Sequence, residues 1–356
     1  RTLIDLGLDI DYFYAGSGLL EVQNGATLTI EPGVTIQFTH TSNGGGMEIK
    51  DGATIVAVGT AEKHIQFIGR ETTAKGSWDR IEINTTTDNR LEYCDFINGG
   101  KRTDDAPGVV YVSAGKLSIS HSKISGSKCN GLKVFTGDLT AFNHNVIENC
   151  DLYPISLGAL KLVAPLDETS DLTNNTLPYV FLSDFALPQN CDLTINKTSV
   201  PYYVNSYTGE LYSKLTINAG ITFYMAESAG LRADYATGSG RLIINGTATE
   251  PVTFTRLPGT TTYWANMYFA YNRSHELHNV ILEYCGNKAE HYALGFQGET
   301  TVTLDNVTIR NSLGYGVFVP IYHDKVSINH NNSTVFENCQ SGNVRWHDNA
   351  IYSQIP

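Results

Sequence analysis

The stretch LTIEPGVTIQF, Leu28 to Phe38, returns as LTINAGITFYM, Leu215 to Met225, at an offset of 187 residues. GTAEKHIQFIGRE from Gly59 returns as GTATEPVTFTRLP from Gly246 at the same offset. Two copies at a fixed spacing mark a repeat architecture before any single residue is weighed. Within each copy, short runs alternate apolar and polar residues, and Gly, Asn, Ser and Asp separate the runs. This pattern predicts brief strands joined by turns.

A shorter period lies inside the long one. ISHSKISGSKCNGLKV (Ile119 to Val134) aligns without gaps on FNHNVIENCDLYPISL (Phe142 to Leu157), 23 residues on. The alignment pairs Ile119 with Phe142, His121 with His144, Ile124 with Ile147 and Leu132 with Ile155. LEYCDFINGG from Leu91 fits one step earlier. In the second copy Leu277, Leu304 and Ile328 begin successive units. A unit of about 23 residues is too short for a propeller blade, which needs roughly 40, and no 3.6-residue apolar stripe is present. One coil of a parallel β-helix fits, each coil stacking on the last at about 4.8 Å. Inward apolar residues then form one core, and equivalent positions form columns along the axis.

The columns predict structural roles for residues that would otherwise look chemical. Tyr93, His121 and His144 share one column, continued by Asn279 and Asn306 in the second copy, so stacking at a turn is expected in place of a metal pair. Asn149, Asn311 and Asn338 read as turn and ladder asparagines. Cys150, Cys285 and Cys339 occupy one position, shared with Gly99, Ser127 and Ser312. Cys285 and Cys339 lie two coils apart, roughly 9–10 Å by strand spacing. A disulfide needs Cα atoms within about 7 Å, so buried thiols without disulfides are predicted. LEYC occurs at both Leu91 and Leu282, but aligning the copies on it breaks the neighbouring columns, and Leu91 is instead matched to Leu277.

Lys and Arg number 24 against 36 Asp and Glu, a formal net charge of −12. No basic run exists, which argues against a nucleic-acid partner. No stretch of 18 apolar residues exists, so no transmembrane segment is expected. The chain begins at Arg1 with no signal sequence, as in a trimmed secreted protein or a truncated one.

An aromatic entry (DYFYAGSG from Asp11, VPYYVNSYTG from Val200) precedes each LTI strand. GTAEKHIQFIG and the Trp-centred turn GSWDRIEI from Gly76 follow in the first copy. In this order the chain resembles right-handed parallel β-helix proteins of the pectin-lyase-like fold, especially secreted or surface-anchored ones common in Bacteroidetes. The resemblance covers roughly residues 10–160 and 200–350. It implies an all-β, internally duplicated solenoid in an extracellular or cell-surface setting, with an outer-membrane lipoprotein anchor as one option. The expected organisation is a single β-helix domain over 1–356. Within it, 1–20 is an N-terminal cap, 21–160 a first coil block, 161–214 irregular middle coils, 215–340 a second block and 341–356 a C-terminal cap.

The fold class includes polysaccharide lyases and hydrolases. Polygalacturonase-like enzymes carry Asn-x-Asp, Asp-Asp, Gly-His-Gly and Arg-x-Lys in that order, and their paired carboxylates supply acid and base. Here Asp104-Asp105 is the only Asp-Asp. Asn149-Cys150-Asp151 and Asn190-Cys191-Asp192 come after it, and no His is flanked by Gly on both sides. Pectate-lyase chemistry needs acidic Ca²⁺ ligands beside a base. Asp104 and Asp105 with Lys101 and Arg102 are therefore the weak catalytic candidates, and Ca²⁺ the one cofactor to weigh. The four sit in a loop found only in the first copy. Binding is the stronger functional expectation, with Tyr12, Tyr14, Tyr202, Tyr203 and Tyr207 as the candidate sugar-contacting rings, against a structural role for the same tyrosines. Trp78 and Trp264 are equivalent and read as turn caps. The sequence thus predicts a non-enzymatic β-helix in adhesion or contact with a carbohydrate such as a cell-surface glycan. A lyase or hydrolase acting on an acidic polysaccharide, and a structural spacer, are the alternatives.

Overall fold

The computed structural model describes residues 1–39, 45–71, 73–101, 107–233, 240–271, 273–288, 291–320, 326–331 and 333–346. They form two compact units. The first holds Arg1–Gly158, Pro165–Phe181 and Thr198–Val200. The second holds Ala159–Ala164, Leu182–Lys197 and the residues from Pro201 onward. Both are parallel β-solenoids, and the one helical turn among the described residues is the 3₁₀ segment Leu160–Val163.

Three parallel banks wrap the core of the first unit. One runs through Leu19–Val22, Gly46–Lys50, the start of Ile81–Glu92, the start of Gly108–Ser120, Asn130–Val134 and Ile155–Leu157. The next comprises Thr2–Leu3, Thr27–Ile30, Thr54–Val58, the later halves of the two long strands, and Asp138–Asn143. The third comprises Tyr12–Tyr14, Thr35–Phe38, Ile65–Gly69, Cys94–Ile97, Lys123–Ser125 and Val146–Glu148. Residues 1–20, expected as a cap, thus supply the outermost strands of the first unit, paired in the same parallel register.

The columns read from the sequence are the observed pairings: Ile119 with Phe142, Ile124 with Ile147, and Leu132 with Ile155. The interval is not constant. It is 22 residues from Val110 to Leu132 but 34 from Met47 to Ile81, because turns between banks absorb insertions without disturbing the ladder. In the second unit Leu277 pairs with Leu304 as predicted. The following step is corrected: Leu304 faces His330, and Ile328 faces Val302. Both positions point inward, so a slip of two residues keeps the apolar face and leaves no trace in the pattern. The two LEYC motifs lie on different banks, since Leu91 pairs with Ala57 and Leu282 with Phe254.

In five coils one corner is a single residue in the left-handed conformation, at Tyr93, His121 and His144 in the first unit and at Asn279 and Asn306 in the second, all with φ between 50° and 54°. Asn suits that conformation, whereas bulkier residues rarely adopt it. The second unit uses an asparagine ladder, in which Asn306 Nδ2 donates to Asn279 Oδ1 at 2.6 Å and Asn279 Nδ2 to the Gly246 carbonyl at 2.9 Å. The first unit uses ring stacking, with centroids 4.7 Å apart for Tyr93 and His121 and 4.8 Å for His121 and His144. Inside, Phe67 stacks on Phe96 at 4.9 Å in the first unit and Phe223 on Phe254 at 4.8 Å in the second.

Candidate functional surfaces

The bank beginning Leu19–Val22 carries an outward row of one residue per coil: Glu21, Glu48, Glu82, Tyr111 and Lys133. Three carboxylates in register repel one another unless cations intervene. Lys50 Nζ lies 2.7 Å from Glu21 and 3.8 Å from Glu48. Arg80 donates to Glu82 Oε2 from Nε at 2.8 Å and Nη2 at 2.6 Å, and Nη1 is bonded to Asp79. Asp79, Arg80 and Glu82 are buried, and the one guanidinium is shared by two carboxylates through charge-assisted bonds. Lys133 lies 5.8 Å from the Tyr111 ring centroid.

Lys101, the one loop candidate among the described residues, adjoins this cluster. The Gly100 amide donates to the Asp79 carbonyl at 2.7 Å, and the Lys101 amide to the Trp78 carbonyl at 3.1 Å. Arg102, Asp104 and Asp105 lie outside the described residues.

The equivalent row of the second unit is chemically different. Glu210, Arg232, Tyr268, Gly295, Phe318 and Arg345 occupy it in order. Tyr292 lays its ring over Gly295, so that a Cβ there would meet Tyr292 Cε2 at 2.5 Å and Tyr268 Cδ2 at 2.7 Å. The rings of Tyr268, Tyr292 and Phe318 follow at centroid distances of 6.4 and 5.2 Å. Arg232 covers the Tyr268 end at 5.4 Å and Arg345 the Phe318 end at 5.3 Å. Rings packed against one another at tilted angles, with guanidinium groups over both ends, are not open to a sugar. This row holds the coils together.

The tyrosines singled out from the sequence do not converge. The Tyr12 hydroxyl bonds to the backbone of Ile4, and Tyr14 packs edge-on to Phe38. Tyr202 is 1% exposed, stacks on Phe223 at 5.3 Å and donates its hydroxyl to the Asn196 carbonyl, so its ring belongs to the core. Its neighbour Tyr203 faces the opposite way and is half-buried, and burial raises its phenol pKa. Tyr207 is 83% exposed.

An open groove of about 730 Å³ lies on the second unit. His278, Thr303, Asp305, Ser327, Asn329 and Asn331 line it, on and beside strands Ser274–Glu283, Thr301–Arg310 and Ser327–His330. Strand alternation turns Glu276, Thr303 and Asn329 outward in one column, and His278 and Asp305 outward in the next. His278 Nδ1 is 3.2 Å from Asp305 Oδ2, and its Nε2 is 3.7 Å from Glu276 Oε2. Asn331 donates to the other Asp305 oxygen, and Arg241 pairs with Glu276. Hydrogen bonds from His278 and Asn331 hold the Asp305 carboxyl below its ordinary pKa. The groove was missed in the sequence because no motif marks it. Its only signal is that polar residues occupy outward positions on three successive coils.

Among the described residues no group of three or more His, Cys, Asp or Glu is placed to hold a metal ion, and no helix is long and apolar enough to cross a membrane.

Residues 2–151 match a family model described as a pectate-lyase like beta helix domain. The match spans 150 of the 356 residues and falls within the first unit. It agrees with the resemblance read from the repeats and with the parallel solenoid observed. No curated protein matches the chain. The groove lies outside the pectate-lyase-like segment, so its chemistry has to be read from its own residues.

Proposed function

We propose that the protein is a secreted or cell-surface β-helix that binds carbohydrate in the groove of its second unit without cleaving it. The observation that carries this reading is the groove itself. Its volume falls in the range of small-ligand sites, roughly 300–1,000 Å³. Its walls present amide, hydroxyl, imidazole and carboxylate groups from rigid strands, the complement of sugar hydroxyls. Glycoside hydrolysis needs one carboxyl kept protonated as the acid. Asp305 is shifted the opposite way and so does not supply that acid.

Calorimetric titration with a panel of neutral, cationic and anionic oligosaccharides tests the reading. Asn329→Ala removes hydrogen-bonding groups worth about 1–1.5 kcal/mol, so roughly tenfold weaker binding is expected. If no saccharide binds, the reading fails and a structural spacer remains.

One observation favours catalysis as a second reading. Lys101 lies directly beside the buried Asp79–Arg80–Glu82 cluster. Incubation with acidic polysaccharides, with and without Ca²⁺, decides this. Unsaturated products that disappear in Lys101→Ala would establish a lyase.

A further inference from the structure

We propose that the groove of the second unit selects glycans bearing free amino groups and rejects uronates. The inference rests on the carbohydrate-binding reading and specifies its ligand class.

Among the described residues lining the groove none is Lys or Arg. Arg241, a cation in the same outward network, is paired with Glu276. Asp305 faces His278 and Asn331 but no Lys or Arg in its ion pairs and hydrogen bonds. The wall thus carries a carboxylate at Asp305 that no described Lys or Arg pairs with. A carboxylate has about four lone-pair sites, so two remain after the bonds from His278 and Asn331. An ammonium brings three donors and no acceptor. Asp305 offers it a charge-assisted bond, and the Thr303 and Ser327 hydroxyls and the Asn329 amide oxygen supply neutral acceptors on the same wall. A uronate would bring its carboxylate against Asp305 with no cationic side chain to receive it, and like charges at close range disfavour binding.

The experiment is calorimetric titration of the full chain at about pH 7 with three oligosaccharide series of equal length: glucosamine, N-acetylglucosamine and galacturonate. The expected order is glucosamine at least tenfold tighter than N-acetylglucosamine, with galacturonate weakest. Asp305→Asn keeps the shape and removes the charge, and it should bring the first two series to equal affinity. Thr303→Lys leaves Asp305 intact and should reverse the order in favour of galacturonate. Far-UV circular dichroism checks that each variant is folded. Equal affinity of wild type for the first two series, or an undiminished preference in Asp305→Asn, would overturn the amino-sugar assignment while leaving carbohydrate binding standing. Absence of binding to all three series would overturn both.

Discussion

Trp78 and Trp264 make the same hydrogen bond in the two copies. Each indole N–H donates at 2.7 Å to a carbonyl nineteen residues further along, that of Ile97 and that of Glu283. Both rings are fully buried. Trp78 lies 5.2 Å from Phe38, and Trp264 lies 6.4 Å from Phe254. A large side chain that fills the core and also satisfies a backbone acceptor holds a coil in place twice over. Trp→Ala at either position should cost about 3–5 kcal/mol through the cavity it leaves. Trp→Phe should cost less, about 1–3 kcal/mol, chiefly from the orphaned carbonyl. Urea unfolding of the four variants measures this. Near-equal losses at the two sites are expected from their equivalence.

His275 makes the second unit acid-sensitive. Its column is otherwise Leu215, Leu242, Val302 and Ile328, and it is itself 1% exposed. Nδ1 accepts a bond from the Leu242 amide at 3.1 Å, so the proton sits on Nε2, which has no partner. Burial, aided by the charges of Arg241 and Arg273, pushes the imidazole pKa down to about 3. The unfolded chain protonates near pH 6.5, whereas the folded one stays neutral. Stability is therefore full above about pH 6.5 and falls progressively towards pH 3, by about 3 kcal/mol at pH 4.5. His275→Leu leaves the Leu242 amide without its acceptor and lowers stability at neutral pH, but it should flatten the slope between pH 6.5 and 4.5. An unchanged slope in the variant would refute the assignment.

Four of the six cysteines should be inert in the native protein. All six are unpaired, and the column predicted for them is seen in the backbone bonds from Leu313 to Cys285 and from Gln340 to Ser312. Burial raises the thiol pKa of Cys129 to about 11 and of Cys150 to about 12, and raises Cys94 and Cys285 further. Since the thiolate is the reactive form, these four should resist iodoacetamide at pH 8 until urea unfolds the chain. Cys191 is only half-buried and should label first. Peptide mapping after timed alkylation reads the order directly.

What the sequence disclosed and what it hid follow from the same geometry. Inward columns were legible because a coil must return apolar residues to one core. The pairing of Ile119 with Phe142 is set by that demand. The single-residue corners were legible because Asn279 and Asn306 keep a turn-forming residue at the place of His121 and His144. Outward rows were not legible. Glu48 and Glu82 are neighbours across 34 residues, an interval that no constant period predicts. Tyr202 and Tyr203 are adjacent and chemically identical, and only pairing with Phe223 and Tyr224 decides which enters the core. The groove draws on strands from three coils, so its residues become neighbours only once the register of all three is known.

Gly295 provides the sharpest test of the ladder on the second unit. It is the one position in the row Arg232, Tyr268, Gly295, Phe318 and Arg345 without a side chain, and the Tyr292 ring occupies the space. A Cβ there would stand 2.5 Å from Tyr292 Cε2, well inside contact distance, and the ring is held on its other side by Phe318 at 5.2 Å. Gly295→Ala should therefore destabilise the second unit by about 1–3 kcal/mol, as overpacking does. This occurs although Ala is the better strand residue by conformational entropy. Tyr292→Ala alone should also destabilise, by loss of the ring. The double variant removes the closest contact along with the ring and leaves the one to Tyr268 Cδ2 at 2.7 Å, so Gly295→Ala should cost less when added to Tyr292→Ala than it does alone. A double-mutant cycle by thermal unfolding would show a coupling of more than about 1 kcal/mol. Simple additivity would mean that Tyr292 does not occupy the space above Gly295.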